Sequence, residues 1–146
     1  MFKTSLAVVL VAALLAPASA HAQDSRWHRQ VSSQLDRYGT VLSDRGYRLT
    51  QDVRSGSLDE DEDEYFTLEL EADRAYVLVG VCDEDCTDVD LRLFDAEGTE
   101  IDSDLEADDY PVVEVRPGRA TRFRVKVIMA TCSTSPCFYG VGVFAK

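Results

Sequence analysis

Apolar residues recur along this chain with two different periods, and the change falls at Gly46. Upstream, Trp27, Val31, Leu35, Tyr38 and Leu42 follow one another at steps of four, four, three and four. That spacing forms one apolar stripe on an otherwise polar helix. Asp24 is placed to cap it by accepting from the free N–H groups of the first turn. Gly46 is placed to end it, because glycine takes the left-handed conformation cheaply. A helix over 24–46 follows, with Gly39 as its weakest point.

Downstream the period is two. Phe66, Leu68 and Leu70 alternate with Thr67, Glu69 and Glu71, and Phe123, Val125, Val127 and Met129 alternate against Arg122, Arg124 and Lys126. Further strands are predicted at 47–53, 75–81, 89–94, 110–116 and 137–144. Turn signals punctuate them at Ser55-Gly56-Ser57, Ala72-Asp73-Arg74, Ala96-Glu97-Gly98 and Pro117-Gly118. Short alternating strands so separated predict a mainly β domain over 47–146, an antiparallel β-sandwich or jelly roll. In 75–81, Val77, Val79 and Val81 are apolar and so are Tyr76 and Leu78, so both faces of that strand need cover. The N-terminal helix has the stripe to supply it, and is predicted to pack on the sheet there as the one substantial helix.

The segment before the helix changes where the domain is expected to work. Met1 to Ser5 carries a single positive charge, Leu6 to Ala16 is an uncharged apolar run, and Pro17-Ala18-Ser19-Ala20-His21-Ala22 is small-residue rich. This is the three-part pattern of a cleavable signal peptide over 1–22, with cleavage after Ala20 or Ala22. The apolar run is shorter than the about 20 residues of a membrane-spanning helix. The expectation is a periplasmic or secreted monomer with no membrane insertion after cleavage.

Charge narrows the partners. The chain has 15 basic and 27 acidic residues, a net charge of −12, and loss of Lys3 with the leader makes it −13. Nucleic acid and anionic membranes need a basic surface and are disfavoured. A protein partner, a neutral ligand or a cation is left open. The four cysteines form two close pairs, Cys82/Cys86 and Cys132/Cys137, and an even count in an exported chain reads as disulfides. Short sequence distance favours local pairing, each loop contributing about 2 kcal/mol. Zinc is the weaker alternative, since neither spacing is CxxC and no histidine lies nearby.

Candidate chemistry gathers in the acids. Five carboxylates lie within Asp83 to Asp90, and a second cluster runs from Asp102 to Asp109. Two such loops at one end of a sandwich suit calcium, which takes six to eight oxygens in irregular geometry. Neither matches the EF-hand loop. The competing reading is turn chemistry, in which Asp side chains bond nearby backbone amides. The run from Asp59 to Glu64 reads as a solvated, mobile loop. Catalysis has little to stand on. The two histidines, His21 and His28, precede the β region, and neither a nucleophile elbow nor a His-Glu-x-x-His motif is present. Trp27, the sole tryptophan, belongs to the helix stripe, which argues against a tryptophan-based sugar platform.

Residues 65–144 resemble the bacterial pre-peptidase C-terminal domain. The residues that carry the likeness are Tyr65-Phe66-Thr67-Leu68, Asp88-Val89-Asp90-Leu91-Arg92-Leu93-Phe94-Asp95 with Gly98, Asp104, Pro111, Phe123-Arg124-Val125-Lys126-Val127 and Tyr139-Gly140-Val141. The resemblance implies a jelly-roll β-sandwich that serves secreted proteases as an accessory, in some members binding calcium or adhering to substrate. This chain differs in its N-terminal helix, its two cysteine pairs and the lack of an attached protease domain. The calcium role, where carried over, falls on Asp88, Asp90 and Asp104. Asp83 joins them from the acidic loop to give the expected set of metal positions. The combined expectation is a non-catalytic exported binding or accessory β-sandwich module, with calcium as its one expected cofactor. The second reading is an envelope stress or protein-interaction protein that meets a basic partner through its acidic surface. An enzyme comes third.

Overall fold

A computed structural model describes residues 19–146, with side chains from Arg26 onward. The leader expected over 1–22 falls mainly outside the described residues. One helix, α1 (Ser19–Ser43), precedes nine strands: β1 (Arg48–Leu49), β2 (Arg54–Leu58), β3 (Asp63–Leu70), β4 (Tyr76–Cys82), β5 (Cys86–Phe94), β6 (Glu100–Asp104), β7 (Val112–Val115), β8 (Thr121–Cys132) and β9 (Cys137–Ala145). Among the described residues no helix is long and apolar enough to cross a membrane.

The helix starts five residues before Asp24, because Ala20, Ala22 and Gln23 are good helix formers and extend it upstream. Its last helical residue is Ser43, and its end is built on Gly46 at φ 87°. Tyr47 N–H donates to Leu42 carbonyl at 3.1 Å, and Gly46 N–H to Ser43 carbonyl at 3.0 Å. This is the 6→1 closure of a Schellman motif, with glycine at the position that needs φ > 0.

The strands form two antiparallel sheets. Sheet A has the order β1-β9-β4-β7, with β2 also paired to β9, and sheet B the order β3-β8-β5-β6. The chain crosses between them at almost every connection, giving the β-sandwich that the alternation predicts. Leu68, Leu91, Leu93, Val125, Val127 and Met129 of sheet B meet Tyr76, Leu78, Val113, Tyr139, Val141 and Val143 of sheet A in one core. The opposite face of β4, Val77, Val79 and Val81, packs with Phe144 against Val31, Leu35 and Leu42 of α1. The two-faced apolar pattern of β4 is thus accounted for, although the helix lies more across β9 than across β4.

Glycines in β9 let the helix come that close. A Cβ on Gly140 would collide with Val31 Cγ1 and lie 3.3 Å from Leu35 Cδ1. At Gly142 it would stand 2.8 Å from Phe144 Cε2.

Three strand expectations are corrected. The strand expected over 47–53 is only Arg48–Leu49, and Ser55-Gly56-Ser57 is strand rather than turn, in register with Gly140, Tyr139 and Phe138. Ser and Gly have weak β preference, so pairing with β9 imposes this strand against the local signal. Residues 100–104, expected only as part of an acidic cluster and its approach, form the edge strand β6 on β5. The acidic run at 59–64 is a turn over 59–62 leading into β3 and pinned to β8, where Asp61 N–H donates to Met129 carbonyl at 2.8 Å and Met129 N–H to Glu62 carbonyl at 2.9 Å.

Candidate functional site

The cysteines pair locally, Cys82–Cys86 and Cys132–Cys137. Cys86 and Cys132 also face each other in the β5–β8 register, so the two crosslinked loops lie side by side at one end of the sandwich. Ser133 N–H and hydroxyl both donate to Asp85 carbonyl, at 2.8 and 2.9 Å, joining one loop to the other.

Asp83 sits inside this junction, 2% exposed. Its Oδ2 accepts from Phe138 N–H at 2.8 Å and its Oδ1 from Asp85 N–H at 3.2 Å. Burial pushes its carboxyl pKa up, and the amide bonds oppose that without cancelling it. Both oxygens face protein donors, so Asp83 serves as a backbone clip and stands apart from the other expected metal positions.

The charges of Asp104 and Asp108 reach Asp88 or Asp90, but the four side chains are not gathered into a cage. Asp88 and Asp90 belong to β5; Asp104 ends the adjacent strand β6 in register with Leu91, and Asp108 lies in the β6–β7 connection, its carbonyl accepting from Val89 N–H at 3.0 Å. Burial raises the pKa of Asp88, and the Asp108 carboxylate raises it further. The Asp90 carboxyl is likewise raised by burial, then by Asp88, Asp104 and Asp108, with Arg92 acting the other way. Asp88 Oδ1 is buried without a hydrogen-bond partner among the described residues. A carboxylate oxygen left without a donor has the chemistry that a hard cation would satisfy. Among the described residues, however, no three His, Cys, Asp or Glu side chains are gathered so as to hold a metal ion.

Asp104 has a backbone N–H on each oxygen, as Asp83 does, but it is half-buried where Asp83 is buried, so its remaining lone pairs stay accessible. Its Oδ2 accepts from Val112 N–H at 2.9 Å, and its Oδ1 from Glu106 N–H at 3.3 Å. Asp102 does the same one step along, with Oδ2 accepting from Glu114 N–H at 2.7 Å. These carboxylates reach from the edge of sheet B to the unpaired N–H row of β7, the edge of sheet A. They close the open side of the sandwich and blunt an edge strand. Sequence reasoning found the Asp102–Asp109 cluster but not this use. The alternation of Asp102 and Asp104 with Ser103, at strand spacing, was the available signal.

No protein-family model matches the chain, and no curated protein sequence matches it. In structure it is similar to the crystal structure of the pre-peptidase C-terminal domain of collagenase from Bacillus anthracis. The identity is 11% and the TM-score 0.48, over 65% of this chain and 88% of that one.

Proposed function

We propose that this chain is an exported, non-catalytic accessory β-sandwich whose acidic edge takes up calcium through Asp88, Asp90 and Asp104, joined by Asp108. The observation that carries this reading is the buried, unpartnered Oδ1 of Asp88, in a carboxyl whose pKa is raised by burial and by Asp108, next to Asp90, whose pKa burial, Asp88, Asp104 and Asp108 also raise. A divalent cation offsets that repulsion and supplies the missing partner. The stretch after Asp104, without regular structure up to Val112, already lies on β5, where Val89 N–H donates to Asp108 carbonyl at 3.0 Å, and ligation requires its carboxylates to draw closer together. Asp83 is not among the ligands in this reading. Export is supported by the charged, apolar and small-residue order of the N-terminus and by two disulfides with no free cysteine among the described residues.

Thermal unfolding in millimolar calcium against chelator tests the reading. A ligand at 100 times its Kd stabilises the fold by about 2.7 kcal/mol, a shift of several degrees for a domain this size. Such a shift in the native chain, lost in Asp88→Asn, is expected. Equal midpoints with and without calcium contradict it.

A further inference from the structure

The outward face of sheet B holds a feature that neither the core nor the acidic edge uses. In register across β3, β8 and β5, Thr67 stands opposite Arg124 and Arg124 opposite Phe94, while Tyr65 stands opposite Lys126 and Lys126 opposite Arg92. The Arg124 guanidinium lies 5.0 Å from the Tyr65 ring centroid and 5.9 Å from that of Phe94. The two rings are 6.4 Å apart. Tyr65 is 47% exposed, so this cluster faces solvent.

Charge pairing singles out Arg124. Its neighbours are each committed to an acid: Lys126 to Asp63 at 2.9 Å, Arg92 to Glu100 at 3.1 Å and Arg122 to Glu69 at 3.3 Å. Arg124 makes no ion pair among the described residues, in a chain with 27 acids. Its fork of N–H donors, held by two aromatic rings, is pre-organised for a planar carboxylate. A recess of about 250 Å³ lies beside it, lined by Thr67, Asp95, Glu97, Gly98, Arg122 and Arg124 among others; Glu97 is paired with Arg119 at 2.9 Å, and Asp95 Oδ1 accepts from Glu97 and Thr99 N–H.

We propose that this face binds a carboxylate-bearing saccharide, with Arg124 on the carboxylate and Tyr65 and Phe94 against the sugar rings. Peptides that add to sheets do so in the plane of the sheet, along an unpaired edge such as that of β3, whereas Arg124 and the two rings stand on the outward face of β3, β8 and β5. Sugar rings present apolar faces for aromatic contact and hydroxyls for Thr67 and Arg122. The net negative charge of the chain does not forbid a carboxylate here, because at about 150 mM salt charges beyond about 8 Å are largely screened. The inference rests on the reading of the chain as a binding module, and not on calcium.

The test is an NMR chemical-shift titration of the isotope-labelled chain in chelator with trigalacturonate, maltotriose and triglutamate. Amide shifts on β3, β5 and β8 around Tyr65, Phe94 and Arg124 are expected with trigalacturonate alone. Arg124→Ala should weaken binding at least about tenfold. Arg124→Lys should recover little, since lysine keeps the charge but not the fork. Tyr65→Ser, at an exposed position, supplies a second variant and should weaken binding as well. An equal response to triglutamate assigns the face to acidic peptides and overturns the proposal, as do absent shifts or shifts confined to other strands. If binding is absent while the calcium-dependent melting shift persists, the saccharide inference fails and the accessory-module reading stands.

Discussion

Asp83 and Asp88 are five residues apart in one acidic run, yet their surroundings give them opposite roles. Asp83 is buried with both oxygens on backbone N–H groups, while Asp88 keeps a buried oxygen open. Sequence alone could not separate them, because a carboxylate's role here depends on which amide the far end of the chain presents. Phe138, the donor to Asp83, lies 55 residues away in sequence. Asp83→Asn turns one acceptor into an NH2 that faces a backbone N–H. It is expected to cost about 1–3 kcal/mol, measured by urea unfolding in chelator, with calcium binding retained. Asp88→Asn removes a repelling charge instead. In chelator it should leave stability unchanged or slightly higher, while abolishing the calcium response.

At the scale of elements, strong periodicity was legible and imposed structure was not. The stripe from Trp27 to Leu42, the alternation around Phe66 and Phe123 and the two-faced β4 each stand in the fold as their spacing implies. Residues 54–58 and 100–104 carry little apolar signal, and their strands come from the partners β9 and β5. Gly140 and Gly142 read as ordinary strand glycines, but they are the seat of the helix. Leu35→Ala is expected to cost about 2–5 kcal/mol by leaving a cavity between α1 and β9. Gly140→Ala should cost about 1–3 kcal/mol by pushing Val31 outward. Both should increase proteolysis within α1 in limited digests before the sandwich itself is cut. Cleavage that begins in β8 or β9 would contradict this order.

Across the whole molecule, two sheets, a covering helix and a crosslinked end form one frame. The fold class followed from pattern because a sandwich is made of repeated short alternations. The proposed site was legible only as two acidic clusters, because how near Asp104 comes to β5 depends on the register of β6 on β5. The raised pKa values of Asp83, Asp88 and Asp90 fix the sign of a pH effect. Each keeps its proton to higher pH when folded than when unfolded, so the folded chain binds more protons just above the ordinary carboxylate range of about 3.9. In chelator, stability should therefore fall as pH rises from that range through the raised folded values, and then level off. Calcium should reverse the loss at neutral pH, where the carboxylates are ionised and the ligands are ready.

The most direct measurement is calorimetric titration of calcium into the chelator-stripped chain at neutral pH, beside the double variant Asp88→Asn, Asp90→Asn. The acidic-edge account predicts one calcium per chain in the native protein and none in the variant, with Asp83→Asn still binding. A native chain that takes up no calcium, or a double variant that binds as the native chain does, would contradict it.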